Sequence, residues 1–130
     1  MGDHTTIDTR LATLAWSEDQ ILEIRIKPDM PLDVAGVSEM VEQRLKMTVG
    51  TKARVMTVLI PDMDFEIQVP TTDHHQPLAT NTIAEAVVAP TNMLQKIAQM
   101  YFRYFPQSHP TGVFTDEVSA RNWLNQQPAS

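Results

Sequence analysis

The sequence predicts an α/β domain organised around a mostly parallel sheet. The run from Arg54 to Ile60 is short, apolar and rich in β-branched residues, and Pro61-Asp62 closes it. Such a run is typical of a strand buried on both faces of a parallel sheet. Segments with helix and strand patterns alternate on either side of it. The chain has 130 residues, enough for one domain with a hydrophobic core and too few for two.

Composition and charge restrict the classes of function. Ten Lys and Arg residues against 16 Asp and Glu residues give a formal net charge of -6, which opposes binding to nucleic acids and anionic lipid surfaces. The absence of Cys excludes disulfides, thiol nucleophiles and thiolate metal sites. No stretch is apolar enough for a signal peptide or a membrane span, so we expect a cytoplasmic protein with no membrane partner.

The N-terminal segments predict a β-hairpin and then a helix. Residues 11–16 are mostly apolar, residues 17–20 form a polar turn, and residues 21–27 alternate apolar with charged. The second strand should therefore lie near a sheet edge, or in a sheet whose other face is solvated. A helix is predicted from about Asp33, which can cap it, to Thr48. Its apolar face is expected to carry Val34, Val37, Val41 and Leu45.

The segment after the central strand fits more than one structure. Residues 63–69 alternate apolar and polar, which suits either a strand or an extended segment with apolar side chains on the core. A short helix can begin near Pro77, because proline is tolerated in a first turn. In open α/β sheets the functional crevice lies beyond the carboxyl ends of the strands. Residues from 61 onward are therefore where an activity is to be sought.

The C-terminal part predicts a strand from Ile83 to Ala89, in spite of Glu85, and a helix from Pro90 to about Phe105. The apolar residues of this helix span roughly 200°, about twice the stripe that seats a helix on a core. Part of this surface therefore needs a second partner.

The last elements are predicted as a short strand, Thr111 to Thr115, and a helix that begins at Thr115-Asp116-Glu117 with a cap and two acids. We expect one domain over residues 1–130. Its ends, residues 1–8 and 127–130, are expected to be flexible.

Short motifs near both ends of the chain carry a family resemblance. They are Glu18-Asp19 and Ile21-Leu22-Glu23-Ile24 in the hairpin, then Phe114-Thr115-Asp116-Glu117, Ala120 and Trp123-Leu124. With this order of elements, the chain resembles the SpoIIAA-like proteins, bacterial relatives of the STAS (anti-sigma-factor antagonist) domains. The resemblance implies a mixed sheet of four to five strands that starts with a β-hairpin, with the helices packed mainly on one side. It also implies a non-enzymatic protein-interaction or regulatory module, with no cofactor.

The antagonist proteins carry a phosphorylatable Ser after the central strand, in an Asp-Ser-(Ser/Thr)-Gly signature. This chain lacks that signature. The nearest hydroxyls belong to Thr71 and Thr72, which Asp73 follows, so these threonines are the candidate switch, with a turn or cap role as the alternative. Asp62 and Asp64, in the loop after the central strand, would repel a phosphate. They can be read as an acid–base pair or as turn residues.

Two further features of the sequence bear on binding. His74 and His75 are neighbours whose side chains diverge, so a solvated loop is expected rather than a metal site. The helix before Phe105 allows deep burial in its own core, a homodimer interface, or a pocket for a small apolar ligand or lipid. The pocket is suggested by a looser likeness to the lipid-carrying SEC14 fold, and it makes a carrier or sensor the alternative function. The candidate interface or pocket residues are Met93, Ile97, Met100, Tyr101, Tyr104 and Phe105.

Overall fold

The computed structural model describes residues 6–28, 30–78 and 80–128, and within these ranges one six-stranded sheet carries three α-helices. The strands are β1 (Thr6–Asp8), β2 (Ala12–Trp16), β3 (Ile21–Ile26), β4 (Ala53–Val58), β5 (Thr82–Val88) and β6 (Thr111–Phe114). The helices are α1 (Val34–Met47), α2 (Asn92–Tyr104) and α3 (Glu117–Asn125), and a 3-10 turn spans Gln76–Leu78.

The sheet is mixed, as predicted, and its strands follow one another in chain order. β1, β2 and β3 pair antiparallel, while β3, β4, β5 and β6 pair parallel. Parallel neighbours need crossover connections. α1 connects β3 to β4 and α2 connects β5 to β6, but the crossover between β4 and β5 is a loop with the 3-10 turn.

The sheet has six strands rather than four to five, because the chain before the hairpin adds β1 to its edge. Ile7 of this strand pairs with Leu14, and the Thr13 hydroxyl donates to Asp8 at 2.9 Å. Residues 6–8, which were expected to be flexible, are thus paired within the sheet. At the other end the carbonyl of Gln127 accepts from Arg54 at 2.7 Å, so that residue is also held. The rest of the expectation, for residues 1–5 and 129–130, lies outside the described ranges.

Each face of the sheet has its own core. Leu22, Ile24 and Ile26 of β3 lie on the face that α1 covers. Met56 of β4 and Leu124 of α3 belong to the core on the opposite face. Leu94 of α2 lines a pocket on the same face as Ile24 of β3, so α1 and α2 share one face of the sheet, as the resemblance implies.

β3 is not an edge strand, in contrast to one of the two positions expected for it, because β2 and β4 flank it. Its charged face lies under α3. Arg25 donates to Glu117 at 2.8 Å, and Arg121 pairs with Glu23. The charged residues that suggested a solvated face are therefore partly covered by ion pairs to α3.

α1 forms between the predicted ends, with Asp33 as its N-cap and Thr48 as its C-cap. The Asp33 carboxylate accepts from the Gly36 amide at 2.7 Å. A Cβ atom at position 36 would overlap the side chain of Leu11, so α1 can approach the hairpin only with Gly there. The buried face is rotated from the predicted one, and consists of Gly36, Val37, Met40 and Arg44.

The segment between β4 and β5 is irregular and crosses the sheet on the side of α1 and α2. Residues 63–69 form no strand, although Phe65 makes one isolated bridge to Leu32. The 3-10 turn at Gln76–Leu78 matches the short helix expected near Pro77. A loop thus stands where a second crossover helix would fill the space between α1 and α2. Within the described ranges, no helix has the length and apolar character needed to cross a membrane.

Candidate functional site

A cavity of about 180 Å³ lies between α1, α2 and the sheet, where the crossover helix is missing. For comparison, an engineered cavity of about 150 Å³ lined by apolar side chains binds benzene. The sheet supplies its floor, the two helices its walls, and the segment after β4 its cover, from Met63 to Leu78. Its lining is almost wholly apolar and includes Ile24, Ile26, Val37, Met40, Leu94 and Ile97.

One part of the cavity wall carries a buried ion pair between Arg44 and Glu85. The Arg44 Nη2 atom donates to Glu85 Oε1 at 2.9 Å and to the Thr82 hydroxyl at 2.9 Å. Only 5% of the Arg44 side chain and 3% of the Glu85 side chain are exposed. Burial alone would raise the pKa of Glu85, but the charge of Arg44 and the contact with His75 hold that pKa well below its ordinary value. Glu85 is therefore a carboxylate that only accepts hydrogen bonds.

A chain of hydrogen bonds continues from Glu85 through His75 to Tyr101 of α2. The His75 Nε2 atom lies 2.8 Å from Glu85 Oε2, and its Nδ1 atom lies 2.7 Å from the Tyr101 hydroxyl. The backbone amide of His74 donates to the same hydroxyl at 2.9 Å. Burial, as the largest cause, raises the pKa of Tyr101 above its ordinary value, so the phenol stays protonated. The four polar side chains Arg44, Glu85, His75 and Tyr101 are called the polar wall below.

His109 lies beside the polar wall but makes no hydrogen bond to it. Its side chain is 4% exposed, and its Nε2 atom is 3.8 Å from Glu85 Oε1, too far for a hydrogen bond. Neither ring nitrogen of His109 has a hydrogen-bond partner among the described residues. Those residues contain no group of three or more His, Asp or Glu side chains arranged to hold a metal ion.

Alternation along β5 explains why Glu85 faces the cavity. Ala84 and Ala86 belong to the core under α3, so Glu85 between them points to the opposite face. Arg44 follows Met40 by one helical turn, on the buried face of α1. The sequence reasoning missed this pair. A charged residue inside an apolar strand was the available signal, since a buried charge needs a partner.

The expectation for His75 was wrong, because this side chain is not in a solvated loop. It is 13% exposed, and its ring also packs edge-on against Phe102, with ring centroids 5.6 Å apart. His74 and His75 do diverge as expected, since the His74 ring lies 2.6 Å from the Val69 carbonyl instead.

The predicted residues of α2 separate into two groups. Ile97 and Tyr101 line the cavity, together with Ala98 and Phe102, which the prediction did not include. Met93, Met100 and Tyr104 are 60%, 49% and 73% exposed on the outer surface. Phe105 caps the helix and packs its ring on Tyr101 at 5.3 Å.

The remaining candidates lie on the surface of the loop after β4. The hydroxyls of Thr71 and Thr72 donate to the carbonyls of Ile67 and Gln68 at 2.8 and 2.7 Å, as turn residues do. Asp62 and Asp64 are both exposed, and Asp64 accepts from the Phe65 amide at 2.9 Å. A phosphorylation switch at either threonine stays a prediction.

Comparison with known proteins supports the fold. A family model described as Domain of unknown function (DUF7793) matches residues 15–128, and no curated protein matches the chain. A solved structure similar to this one is that of an uncharacterised protein from the DUF3478 family, from Shewanella loihica PV-4, with a SpoIIAA-like fold. The two share 12% sequence identity at a TM-score of 0.60, over 95% of this chain and 98% of that one. The predicted SpoIIAA-like fold is thereby confirmed.

Proposed function

The chain belongs to the DUF7793 family, and on that premise we propose that this domain binds a small apolar molecule, as a carrier or sensor. The observation that carries the proposal is the cavity between α1, α2 and the sheet. Its volume of about 180 Å³ is suited to one aromatic ring or a short acyl chain. An apolar site with a few placed polar groups is the usual composition of a ligand pocket.

The residues of the polar wall support binding rather than catalysis. Arg44 and Glu85 neutralise each other, and His75 bonds to Glu85 and Tyr101. These contacts fix the side chains and occupy most of their hydrogen-bonding capacity. The wall therefore supplies orientation to a ligand and no exposed nucleophile.

Filling the cavity from α2 should abolish binding without unfolding the protein. Ala98 lines the cavity, and in Ala98→Leu the added carbon atoms would occupy the volume that a ligand needs. With the wild-type protein, toluene at 100 times its dissociation constant should stabilise the fold by about 2.7 kcal/mol. The corresponding rise in melting temperature is roughly 10 °C. Ala98→Leu should show no such rise when its melting temperature is measured by scanning calorimetry with and without toluene.

The matched control adds the same side chain to the outer face of α2. Gln99→Leu changes an exposed neighbour, so its response to toluene should equal that of the wild type. If the wild-type melting temperature does not respond to toluene, the cavity is not a ligand site. The same conclusion follows if Ala98→Leu binds toluene normally.

A second candidate function is the protein-interaction role implied by the SpoIIAA-like resemblance, and the outer face of α2 favours it. Met93, Met100 and Tyr104 are seven and four residues apart, so they lie in one stripe along the helix. All three are large and at least 49% exposed. Exposed Met and Tyr side chains at a patch centre are typical of association surfaces. We propose a second copy of this chain as the partner.

Placing a charge in this stripe should weaken self-association. Light scattering at several concentrations should show a dimer for the wild type, with at least tenfold weaker association in Met100→Glu, because the carboxylate would be desolvated without a partner. Val118→Glu, at an exposed position of α3, is the control and should associate as the wild type does. A wild-type protein that remains monomeric at every concentration would remove the homodimer proposal.

A further inference from the structure

The cover of the cavity contains a short stretch that is tied to the rest of the protein only at its two ends. This stretch, residues 67–73, is called the lid below. We propose that the lid swings away from α1 to admit the ligand, while the chain on either side of it stays fixed. This inference rests on the proposed function, since it assumes that the cavity takes a ligand.

The first fixed point is the bridge between Leu32, just before α1, and Phe65. The Leu32 amide donates to the Asp64 carbonyl at 2.8 Å, and the Glu66 amide donates to the Leu32 carbonyl at 2.9 Å. Leu32 is 5% exposed and belongs to the core beneath α1. The chain is therefore held at the residue where the lid begins.

The second fixed point is the polar wall. His75 lies 2.8 Å from Glu85 and 2.7 Å from the Tyr101 hydroxyl, and the His74 amide donates to the same hydroxyl at 2.9 Å. The His75 ring also packs edge-on against Phe102. The chain is therefore held again directly after the lid.

The lid itself makes only local hydrogen bonds. Among the described residues, the partners of 67–73 lie within the lid or in the three residues Glu66, His74 and His75 beside it. The hydroxyls of its two threonines, for example, donate to the carbonyls of Ile67 and Gln68. These bonds close a compact turn, which can move as one body between the two fixed points.

Burial also favours movement of the lid. Five of its seven residues are exposed, and only Val69 and Pro70 line the cavity. The other walls are fixed by packing, since α1 buries Val37 and Met40 in the core and α2 buries Leu94. Moving a helix would expose these core side chains to water, whereas moving the lid uncovers little apolar surface. The lid is therefore the part of the wall that opens at the lowest cost in free energy.

A groove of about 370 Å³ separates the lid from α1 and gives the direction of opening. Ser38 and Glu42 of α1 line one side of it, and Thr72 of the lid lines the other. Among the described residues, no hydrogen bond joins the lid to α1 across this groove. Val41 and His74 line both the groove and the cavity. Displacing the lid from α1 would therefore join the two spaces and open a route for the ligand.

A removable link across the groove tests this proposal. The chain has no Cys, so Ser38→Cys with Thr72→Cys introduces two unique thiols at exposed positions on its two sides. A bifunctional methanethiosulfonate would link them, and intact mass would verify the link. In fluorine NMR with para-fluorotoluene, the linked protein should exchange bound and free probe roughly tenfold more slowly than the wild type, or slower still. Dithiothreitol, which removes the link, should restore the rate.

The matched control is the same double variant treated with methyl methanethiosulfonate. It carries a group on each thiol without a link, so it should exchange the probe as the wild type does. If the linked protein exchanges the probe at the wild-type rate, the ligand enters elsewhere, so the lid is overturned and the cavity proposal stands. If the wild type does not bind the probe, the proposed function fails and the lid inference fails with it.

A measurement on the wild type needs no substitution. Relaxation-dispersion NMR should show microsecond-to-millisecond exchange at the backbone amides of Ile67, Gln68 and Thr71, and none at Val37 of α1. Saturating toluene should suppress this exchange, because a bound ring would pack against Val69 and hold the lid closed. A lid without exchange in the free protein would overturn the inference.

Discussion

Replacing Arg44 with Met should lower the free energy of unfolding by about 3–5 kcal/mol, the usual cost of leaving a buried charge without its partner. Met keeps most of the side-chain length and loses the donors to Glu85 and Thr82. Urea denaturation followed by circular dichroism would measure the change. Lys46→Met, on the exposed side of the same helix, should change stability by less than about 0.5 kcal/mol.

Removing the charge of Glu85 as well should restore part of this loss. In Arg44→Met with Glu85→Gln, the amide oxygen can still accept from His75, and no buried charge remains unpaired. The double variant should therefore be more stable than Arg44→Met alone. A double variant less stable than the single one would show that the charge of Glu85 is not the source of the loss.

Acid should destabilise the wild type by protonating Glu85. The pKa of Glu85 is lowered in the folded state, so its contribution is complete above the ordinary value of 4.5 and is lost as the pH falls below it. Glu85→Gln should lack this part of the acid dependence.

Truncating Leu124 to Ala should destabilise the fold by about 2–5 kcal/mol, because it removes a fully buried side chain that seats α3 on the sheet. The truncation both removes buried apolar surface and leaves a cavity, and each of these lowers the free energy of unfolding. Thermal unfolding would measure the change. The cavity lies on the opposite face of the sheet, so affinity for toluene at low temperature should be unaffected.

Val118→Ala provides the comparison on the same helix. Val118 is 70% exposed, so its truncation should cost less than about 0.5 kcal/mol. Equal effects at positions 118 and 124 would mean that α3 is not docked as the structure shows.

Local patterns in the sequence predicted most of the elements. The hairpin was predicted from alternation, α1 from its cap at Asp33, and β5 from its apolar run in spite of Glu85. These signals act between neighbouring residues, so they survive without knowledge of the fold. β1 was missed because only Ile7 is apolar in its three residues, and pairing with β2 stabilises it.

Such local patterns predicted less of the candidate site. Ile97 and Tyr101 were predicted to line a pocket or an interface, and they do line the cavity. Whether α2 faced a cavity or solvent depended on what fills the space beside it. That space is open because a loop, rather than a helix, joins β4 to β5.

The sequence by itself determined the α/β class and the order of elements from the hairpin onward. Only the tertiary structure decided that Arg44, His75, Glu85 and Tyr101 meet. Glu85 is separated along the chain by 41 residues from Arg44 and by 10 from His75, and His75 by 26 from Tyr101. Hydrophobic periodicity records which side of an element is buried. It does not record which buried polar groups will satisfy each other, because that depends on how the crossovers place the elements on the sheet.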